Sequence, residues 1–420
     1  MSGKQLTIGL FGFGVVGEGI YKVLQNTASL QATIKKICIK HPDKERAAPA
    51  QLFTTNAAAL LEDSEINLIV ELIDDAEEAF KIVATALKSG KDVVSANKKM
   101  IAEHLPELLA LQKAHGTSLL YEAAVCGSIP IIRNLEEYYD NDLLESVSGI
   151  VNGSTNFILT KIAEEGLGYS EALLQAQLAG FAESKPALDV EGYDALNKLT
   201  ILLAHTYGIT VPPTSLLFKG IIQLAKSDNN YAAANGYKIK LVAQIRKIGA
   251  GKVAAFVLPQ FVSADSQLFG VRNEFNGVTI ESNLADQQFL YGKGAGRYPT
   301  SSAVLSDIAA LRYQYKYEYR KLHNPQKHTV SQDYFLKVYV SFNDWSAISK
   351  WDFESIDEAY STQERQYLTG LIHVEKLVQS TWFDSPDVSL IVLPEGIVKK
   401  EAIALKSIKK LSLQLGGVFG

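Results

Sequence analysis

Two cysteines, two methionines and three tryptophans are spread over 420 residues, and these scarcities exclude whole classes of protein. Cys38 and Cys126 cannot build a disulfide framework or a thiolate metal centre, and they fit a reducing compartment. No apolar run reaches the roughly 20 residues that a membrane span needs. Nothing near the start reads as a secretory leader, because a strand and a glycine turn begin by Leu6. The formal charge of −5 gives no reason to expect nucleic acid as a partner. Lys399, Lys400, Lys406, Lys409 and Lys410 are interleaved with Ile403, Leu405, Ile408 and Leu411, which reads as a solvated helix or strand face. The expectation is a cytoplasmic protein without membrane partners, long enough for two or three domains.

What is present begins with alternation. Leu6–Phe11 is a short apolar run ending at glycines, Val15, Val16, Ile20, Val23 and Leu24 follow at helical spacing, and Ile34–Ile39 is a second strand. Further strands are expected at Ile66–Ile73, Asp92–Ser95 and Ser118–Tyr121, separated by helical patterns at Ala76–Leu87 and Leu105–Lys113. Such alternation predicts a parallel sheet covered by helices on both faces. From Glu122 the texture changes. Strands are expected at Ser146–Val151, Val253–Val262 and Val278–Glu281, and helices at Ser154–Glu165, Ser170–Ala179, Ala187–Tyr207 and Ser301–Arg312. Tyr313, Tyr315, Tyr317 and Tyr319 form either a strand with one aromatic face or an aromatic connector. The last ninety residues hold all three tryptophans, with strands expected at Tyr334–Ser341, Leu368–Val374 and Val388–Val392.

Gly12-Phe13-Gly14-Val15-Val16-Gly17 lies between a predicted strand and a predicted helix, the context in which a glycine run holds a dinucleotide pyrophosphate. Lys40 and Arg46 follow the second strand where a carboxylate would select NAD, so NADP is favoured over NAD, with Asp43 nearby as the contrary sign. Lys98, in Ala96-Asn97-Lys98-Lys99, should project from the carboxyl edge of the sheet. Glu183, Asp189 and Asp194 offer negative charge to a substrate ammonium. Asp194 and Lys198 are four residues apart and share a helix face. They are either a surface pair of little consequence or an acid–base device in a cleft. Cys126 has no histidine near it in sequence and reads as a packed thiol. Tyr291–Ser301 is a glycine-rich entry to a helix, fit for a phosphate or carboxylate or simply a tight turn.

In this order, these segments resemble homoserine dehydrogenases from about Leu6 to Arg312. The stretches that carry the resemblance are Ser95–Lys98, Glu122–Pro130, Gly149–Leu159, Glu183–Lys198 and Gly292–Thr300. It implies NAD(P)H-dependent interconversion of L-aspartate 4-semialdehyde and L-homoserine, within threonine and methionine synthesis. It implies that Lys198 donates the proton, that Lys98 sits where nicotinamide and substrate meet, and that Glu183, Asp189 and Asp194 bind substrate. Gly296 joins the glycine run at the cofactor. The family also binds a monovalent cation, usually sodium, which here would lie near Glu122 and the carbonyls of Val125, Gly127 and Ile129.

The expected architecture is therefore α/β. A Rossmann-type domain occupies residues 1–130, and an α+β substrate and dimerisation domain 131–320, with the helix near 301–320 returning to the first. A small ACT-like or oligomerising α+β module occupies 332–420. A homodimer or homotetramer is expected. The sequence departs from the family at Ser128, where glycine is usual, at Asp74-Asp75, where small residues are usual, and at Ser184-Lys185, where a more acidic pair is usual. It also has Asn343-Asp344-Trp345 in place of the Asp-x-Pro-Gly opening of an amino-acid-sensing module. The competing expectations are another Rossmann oxidoreductase acting on an amino acid or its semialdehyde, and a nucleotide sensor without turnover.

Overall fold

The computed structural model describes residues 4–141, 143–361 and 365–400, so Lys406, Lys409 and Lys410 lie outside the described residues. Six strands form a wholly parallel sheet: β1 (Leu6–Phe11), β2 (Ala32–Cys38), β3 (Phe53–Thr54), β4 (Leu68–Glu71), β5 (Asp92–Ser95) and β6 (Leu119–Leu120). Their order is β3-β2-β1-β4-β5-β6, so the winding reverses between β1 and β4, and the crevice beyond Phe11 and Glu71 is where such sheets bind ligands. β4 is buried at every position, as a strand covered on both faces must be. Its last residue, Glu71, is fully buried and ties two strand ends together, accepting from the Ile73 amide at 2.7 Å and from Ser95 Oγ at 2.5 Å. Burial pushes that carboxyl up to about 7.

The helix after β5 differs from expectation. It spans Lys98–His115 rather than starting at Leu105, because Asn97 caps it, accepting from the Met100 amide at 3.0 Å. Lys98 is thus the first residue of a helix and not part of a loop.

The second sheet is mixed and has eleven strands. β7 (Leu144–Ile150), β8 (Leu217–Phe218), β9 (Lys238–Gly249), β10 (Lys252–Val262), β11 (Phe275–Ser282) and β12 (Asp286–Lys293) are joined by β13 (Thr329–Val330), β14 (Phe335–Phe342), β15 (Phe353–Ser361), β16 (Gln366–His373) and β17 (Ser389–Val398). The path runs β12-β11-β7-β9-β10-β17-β14-β16-β15, with β8 and β13 also pairing β10. β10 and β17 meet at a single register position, Gln260 opposite Val392. β14 shows what holds the C-terminal strands in place. Leu336, Val338 and Val340 point into one apolar cluster with Trp382, while Tyr339 points the other way into the main core. β9, β12 and β15 were not foreseen; β15 is exposed beyond Phe353 and carries Glu354, Asp357 and Glu358, so it lacks the apolar alternation of a half-buried strand.

The helix expected over Ala187–Tyr207 is broken in two, Ala187–Val190 and Tyr193–Tyr207. Gly192 makes the break with φ +93°, where the Gly220 backbone passes 3.6 Å from the position a Cβ would take. Of the alternatives for Tyr313–Tyr319, the segment is a connector and not a strand. Tyr317 and Tyr319 are nevertheless buried, and Tyr319 Oη lies 2.8 Å from Tyr121 Oη, which is itself 2.8 Å from His205 Nε2. Among the described residues, no helix is long and apolar enough to cross a membrane.

Candidate active site

A cleft of about 340 Å³ opens between the two sheets. The parallel sheet sends Ala96 and Lys98 to it from the end of β5, and the mixed-sheet half sends Asn152, Asp189, Asp194 and Lys198. Asp194 stands in the first turn of Tyr193–Tyr207 and Lys198 one turn on. One oxygen of Asp194 lies 3.0 Å from Lys98 Nζ; the other lies 2.7 Å from Lys198 Nζ and accepts from Asn152 Nδ2 at 2.8 Å. One carboxylate therefore holds two ammonium groups that come from two different helices. Of the two readings open for Asp194 and Lys198, the surface pair is excluded, since their side chains are only 7% and 9% exposed.

The charges in this cluster stabilise one another. Burial disfavours the Asp194 anion, but Lys198 and Lys98 more than compensate and hold the carboxyl well below the usual range. Lys98 is raised in turn, chiefly by Asp194. Asp189 is different. Burial and the neighbouring Asp194 charge raise it, and its hydrogen bond from Asn152 Nδ2 at 2.7 Å only partly offsets them. Lys198 also donates to the Val151 carbonyl at 2.7 Å, which fixes its Nζ at the end of β7.

Asn152 is the residue that the sequence did not single out. Its Nδ2 bridges Asp189 and Asp194, and its Oδ1 accepts from the Thr155 amide at 2.8 Å, capping the helix Gly153–Glu165. An asparagine immediately before a helical pattern was the available signal. Glu274 and Phe181 also line the cleft without having been foreseen, and Thr300, at the end of the Gly292–Thr300 stretch, lines it too. Glu183, by contrast, is exposed and is not among the lining residues; its main-chain carbonyl accepts from Gln177 Nε2 at 2.9 Å.

The glycine run has the shape a dinucleotide needs. Gly12 has φ +91°, and a Cβ there would come within 2.7 Å of the Leu72 carbonyl oxygen; at Gly17 it would come within 2.5 Å of Gly12 O. Gly14 has open space instead and supplies no side chain to cap the helix Val15–Gln25, so the first-turn amides face outward for an anion. Val15 is 58% exposed there, and Phe13 packs edge-on to Phe53, with ring centroids 5.2 Å apart. Gly296, which lines the cleft, precedes the helix Arg297–Leu311 and has φ +113°. That helix lies against Val15–Gln25, with Ser301 Oγ 2.6 Å from where a Cβ on Gly19 would be. Asp75 is engaged in capping its own helix, accepting from the Glu78 amide at 3.0 Å. Arg46 donates to the carbonyls of Lys44 and His41 at 2.7 and 2.5 Å, beside a cavity of about 570 Å³ that Phe53 and Thr54 also line. Lys40 is exposed.

The loop expected near a cation has an unusual backbone, Cys126 and Gly127 being successive left-handed residues at φ +55° and +50°. Gly127 has no room for a side chain, since a Cβ would meet Gly294 O at 2.6 Å. Ser128 fits where glycine is usual, its Oγ donating to Lys293 O at 3.0 Å. The two carboxylate oxygens of Glu122 accept from the Ile132 and Arg133 amides at 2.8 and 2.9 Å, and Ile129 O accepts from Ile131 N at 2.8 Å. Cys126 is fully buried, and burial pushes its thiol up to about 11, so it is not a poised nucleophile.

Comparison with known proteins agrees with this geometry. The homoserine dehydrogenase family model matches residues 130–309, and the model of the homoserine dehydrogenase NAD-binding domain matches residues 12–122. The chain is 37% identical over 317 residues to homoserine dehydrogenase of Bacillus subtilis, covering 73% of each chain. It is likewise 37% identical to that of Lactococcus lactis, over 73% of this chain and 74% of the relative. The crystal structure of a homoserine dehydrogenase from Thiobacillus denitrificans superposes with a TM-score of 0.82 at 29% identity, covering 94% of this chain and 99% of the other. A hyperthermophilic archaeal homoserine dehydrogenase in complex with NADPH superposes with a TM-score of 0.63 at 26% identity, over 75% of this chain and 99% of that one. With its ordered motifs, two glycine-bounded helix starts and a carboxylate clamping two lysines, the chain belongs to the homoserine dehydrogenase family.

Proposed function

We propose that the Lys98–Asp194–Lys198 cluster is the machinery by which this chain reduces L-aspartate 4-semialdehyde to L-homoserine, and runs the reverse reaction. The observation that carries the proposal is the single Asp194 carboxylate holding both ammonium groups at one cleft. Bound NAD(P)H supplies the hydride. As the aldehyde carbon accepts it, negative charge grows on the aldehyde oxygen, and an ammonium in reach both stabilises that charge and delivers the proton. Lys198 has that role. Two of its N–H bonds are directed at Val151 O and Asp194, which aims the third at the substrate. Lys98 stands on the cofactor side and is 41% exposed, fit to contact nicotinamide and substrate together.

Asp189 and Asp194 orient the substrate through Asn152, and Glu183, two residues beyond the cleft-lining Phe181, is the acid for its ammonium. Gly12–Gly17 and Gly296 hold the cofactor phosphates. Lys40 and Arg46 make NADP the preferred form, a reading supported by the NADPH held by the archaeal relative. A sodium ion would take neutral carbonyls of the left-handed loop, Val125 and Gly127 foremost. The Glu122 carboxylate would brace that region through its bonds from the Ile132 and Arg133 amides. We also infer a homodimer or homotetramer in the cytoplasm. The antiparallel order β17-β14-β16-β15 favours an ACT-like oligomerising module; only short 3-10 turns stand where the first helix of such a module belongs.

The test is to follow nicotinamide absorbance while L-homoserine is added with NADP and, separately, with NAD. Reduction is expected with both, faster with NADP. No reduction despite measurable cofactor binding, with aspartate semialdehyde and reduced cofactor also inert, would leave a nucleotide sensor as the better description.

A further inference from the structure

We propose that Lys219 is a positioning residue that carries the packing of the C-terminal strands into the substrate acids. This rests on the reading above that Asp189 and Asp194 bind substrate. Lys219 follows β8 and belongs to the central region, yet its ammonium donates to the main-chain carbonyl of Phe383, in the turn before β17, and lies 5.0 Å from the centre of the Phe383 ring. The side chain is buried, at 7% exposure, so this contact is made away from water. The turn is itself fixed: Trp382 is buried, and its Nε1 donates to Asp352 at 2.8 Å.

The other end of the linkage is equally tight. The Lys219 amide donates to Val257 O at 2.9 Å, which pins it to β10. The next residue, Gly220, lies so close to the substrate segment that a Cβ would fall 2.1 Å from Val190 O and 2.5 Å from Glu191 Cα. Ile221, fully buried, donates its amide to Val190 O at 2.8 Å. Val190 and Glu191 sit between Asp189 and Asp194, at the break that Gly192 makes in the helix. Three consecutive residues therefore touch a C-terminal turn at one end and the backbone bearing both substrate acids at the other. At Gly220 the contact is backbone against backbone and offers no slack, so a shift of the turn that Lys219 grips is passed on to the placement of Asp189.

The experiment compares the full-length protein with Lys219→Met, which keeps the aliphatic stem and removes the charged donor. The KM for aspartate semialdehyde is expected to rise about five-fold, with kcat changed less than two-fold and the KM for cofactor unchanged. Tyr339→Phe is the control: it removes another bond to the C-terminal strands, from Tyr339 Oη to Asp228 at 3.1 Å, without touching Lys219. It should lower stability and leave KM alone. A double-mutant cycle with Asp189→Asn then localises the effect. If Lys219 acts through Asp189, the combined variant has a KM well below the product of the two single effects. Independent multiplication, or a Lys219→Met variant that loses stability like the control at unchanged KM, would overturn the proposal. Should Lys219→Met not fold, Phe383→Leu weakens the same contact and should raise KM about two-fold, and an unchanged KM there would also overturn it. An unaltered KM in Asp189→Asn alone would instead count against the site reading.

Discussion

Two clusters of buried charge lie on either side of the cleft wall, and they treat their carboxylates in opposite ways. At the cleft, Asp194 has two ammonium groups on it and stays ionised despite burial. Behind the cleft, Glu122 and Asp307 share one arginine. Arg133 Nη2 lies 2.8 Å from Asp307, whose other oxygen accepts from the Glu122 amide at 2.9 Å, and burial outweighs these contacts. Burial, with Asp307 beside it, pushes Glu122 up to about 8, and burial pushes Asp307 up to about 7. The lesson concerns stoichiometry. A buried acid with two cations is a fixed charge that can orient a proton donor, whereas two acids with one cation drift towards neutrality and serve as hydrogen-bonded struts.

The sharpest way to break this contrast is to remove the proton donor. Lys198→Ala is expected to bind cofactor normally and to lose turnover by about a thousand-fold, within the range typical of a positioned acid. Nicotinamide absorbance under single-turnover conditions, with cofactor affinity measured separately, checks it; unimpaired turnover would show that Lys198 is only a structural cation. Asp194→Asn comes next. It leaves Lys198 buried without its counter-charge, so turnover should fall about a hundred-fold. Stability to urea should drop by about 3 kcal/mol, at the lower end for a broken buried pair because Lys98 is partly solvated. A variant that kept its activity would assign the orienting role to Asn152 alone.

Much of the cleft was legible because its chemistry follows local patterns. The spacing of Asp194 and Lys198 forced them onto one helix face, and the glycines Gly12, Gly14 and Gly17 fell between a strand and a helix. What was hidden depends on distant backbone. Gly192 itself marked the break in Ala187–Tyr207, but nothing in that segment announces the Gly220 backbone packed against Val190 and Glu191. The same holds for Glu122. The resemblance alone put Glu122 near a cation, and only the structure shows both of its oxygens capping the helix Ile131–Glu137. β15 was missed for a different reason: its exposed, acidic residues look like a loop, and pairing with β16 makes it a strand.

The second cluster offers a gentler test, through pH. Glu122 has a folded-state pKa raised from 4.5 to about 8, so its contribution to stability is fully present below pH 4.5 and is lost as pH rises through 8. Asp307 and Glu71, both raised to about 7, act in the same direction. Buried lysines oppose them: Lys240 is lowered to about 7 and Lys219 and Lys321 to about 8, so these gain stability as pH rises. A single pH profile of the wild type mixes the two groups, and the informative quantity is a difference. Glu122→Gln should be the less stable protein at pH 5, where the wild-type acid is neutral and well bonded. It should gain on the wild type by about 4 kcal/mol between pH 5 and pH 9. Urea unfolding at both pH values measures this. A constant difference would mean that Glu122 is ionised throughout, and the contrast with Asp194 would disappear.

The smallest expected effect belongs to a cation that has no buried acid at all. Among the described residues, Arg46 donates only to carbonyls of its own loop, and it lies 5.5 Å from the centre of the Phe53 ring, so its charge is uncommitted beside the cavity at the end of β2. A surface cation of this kind contributes little to folding, and its removal should leave stability within about 0.5 kcal/mol. It still has charge to give to a ribose phosphate, however, and a charge-assisted bond lost there weakens one cofactor form selectively. Arg46→Ala is therefore expected to lower kcat/KM for NADP about ten-fold and to change that for NAD less than two-fold. Equal losses with both cofactors would mean that Arg46 shapes the loop rather than reads the phosphate, leaving Lys40 as the residue to change next.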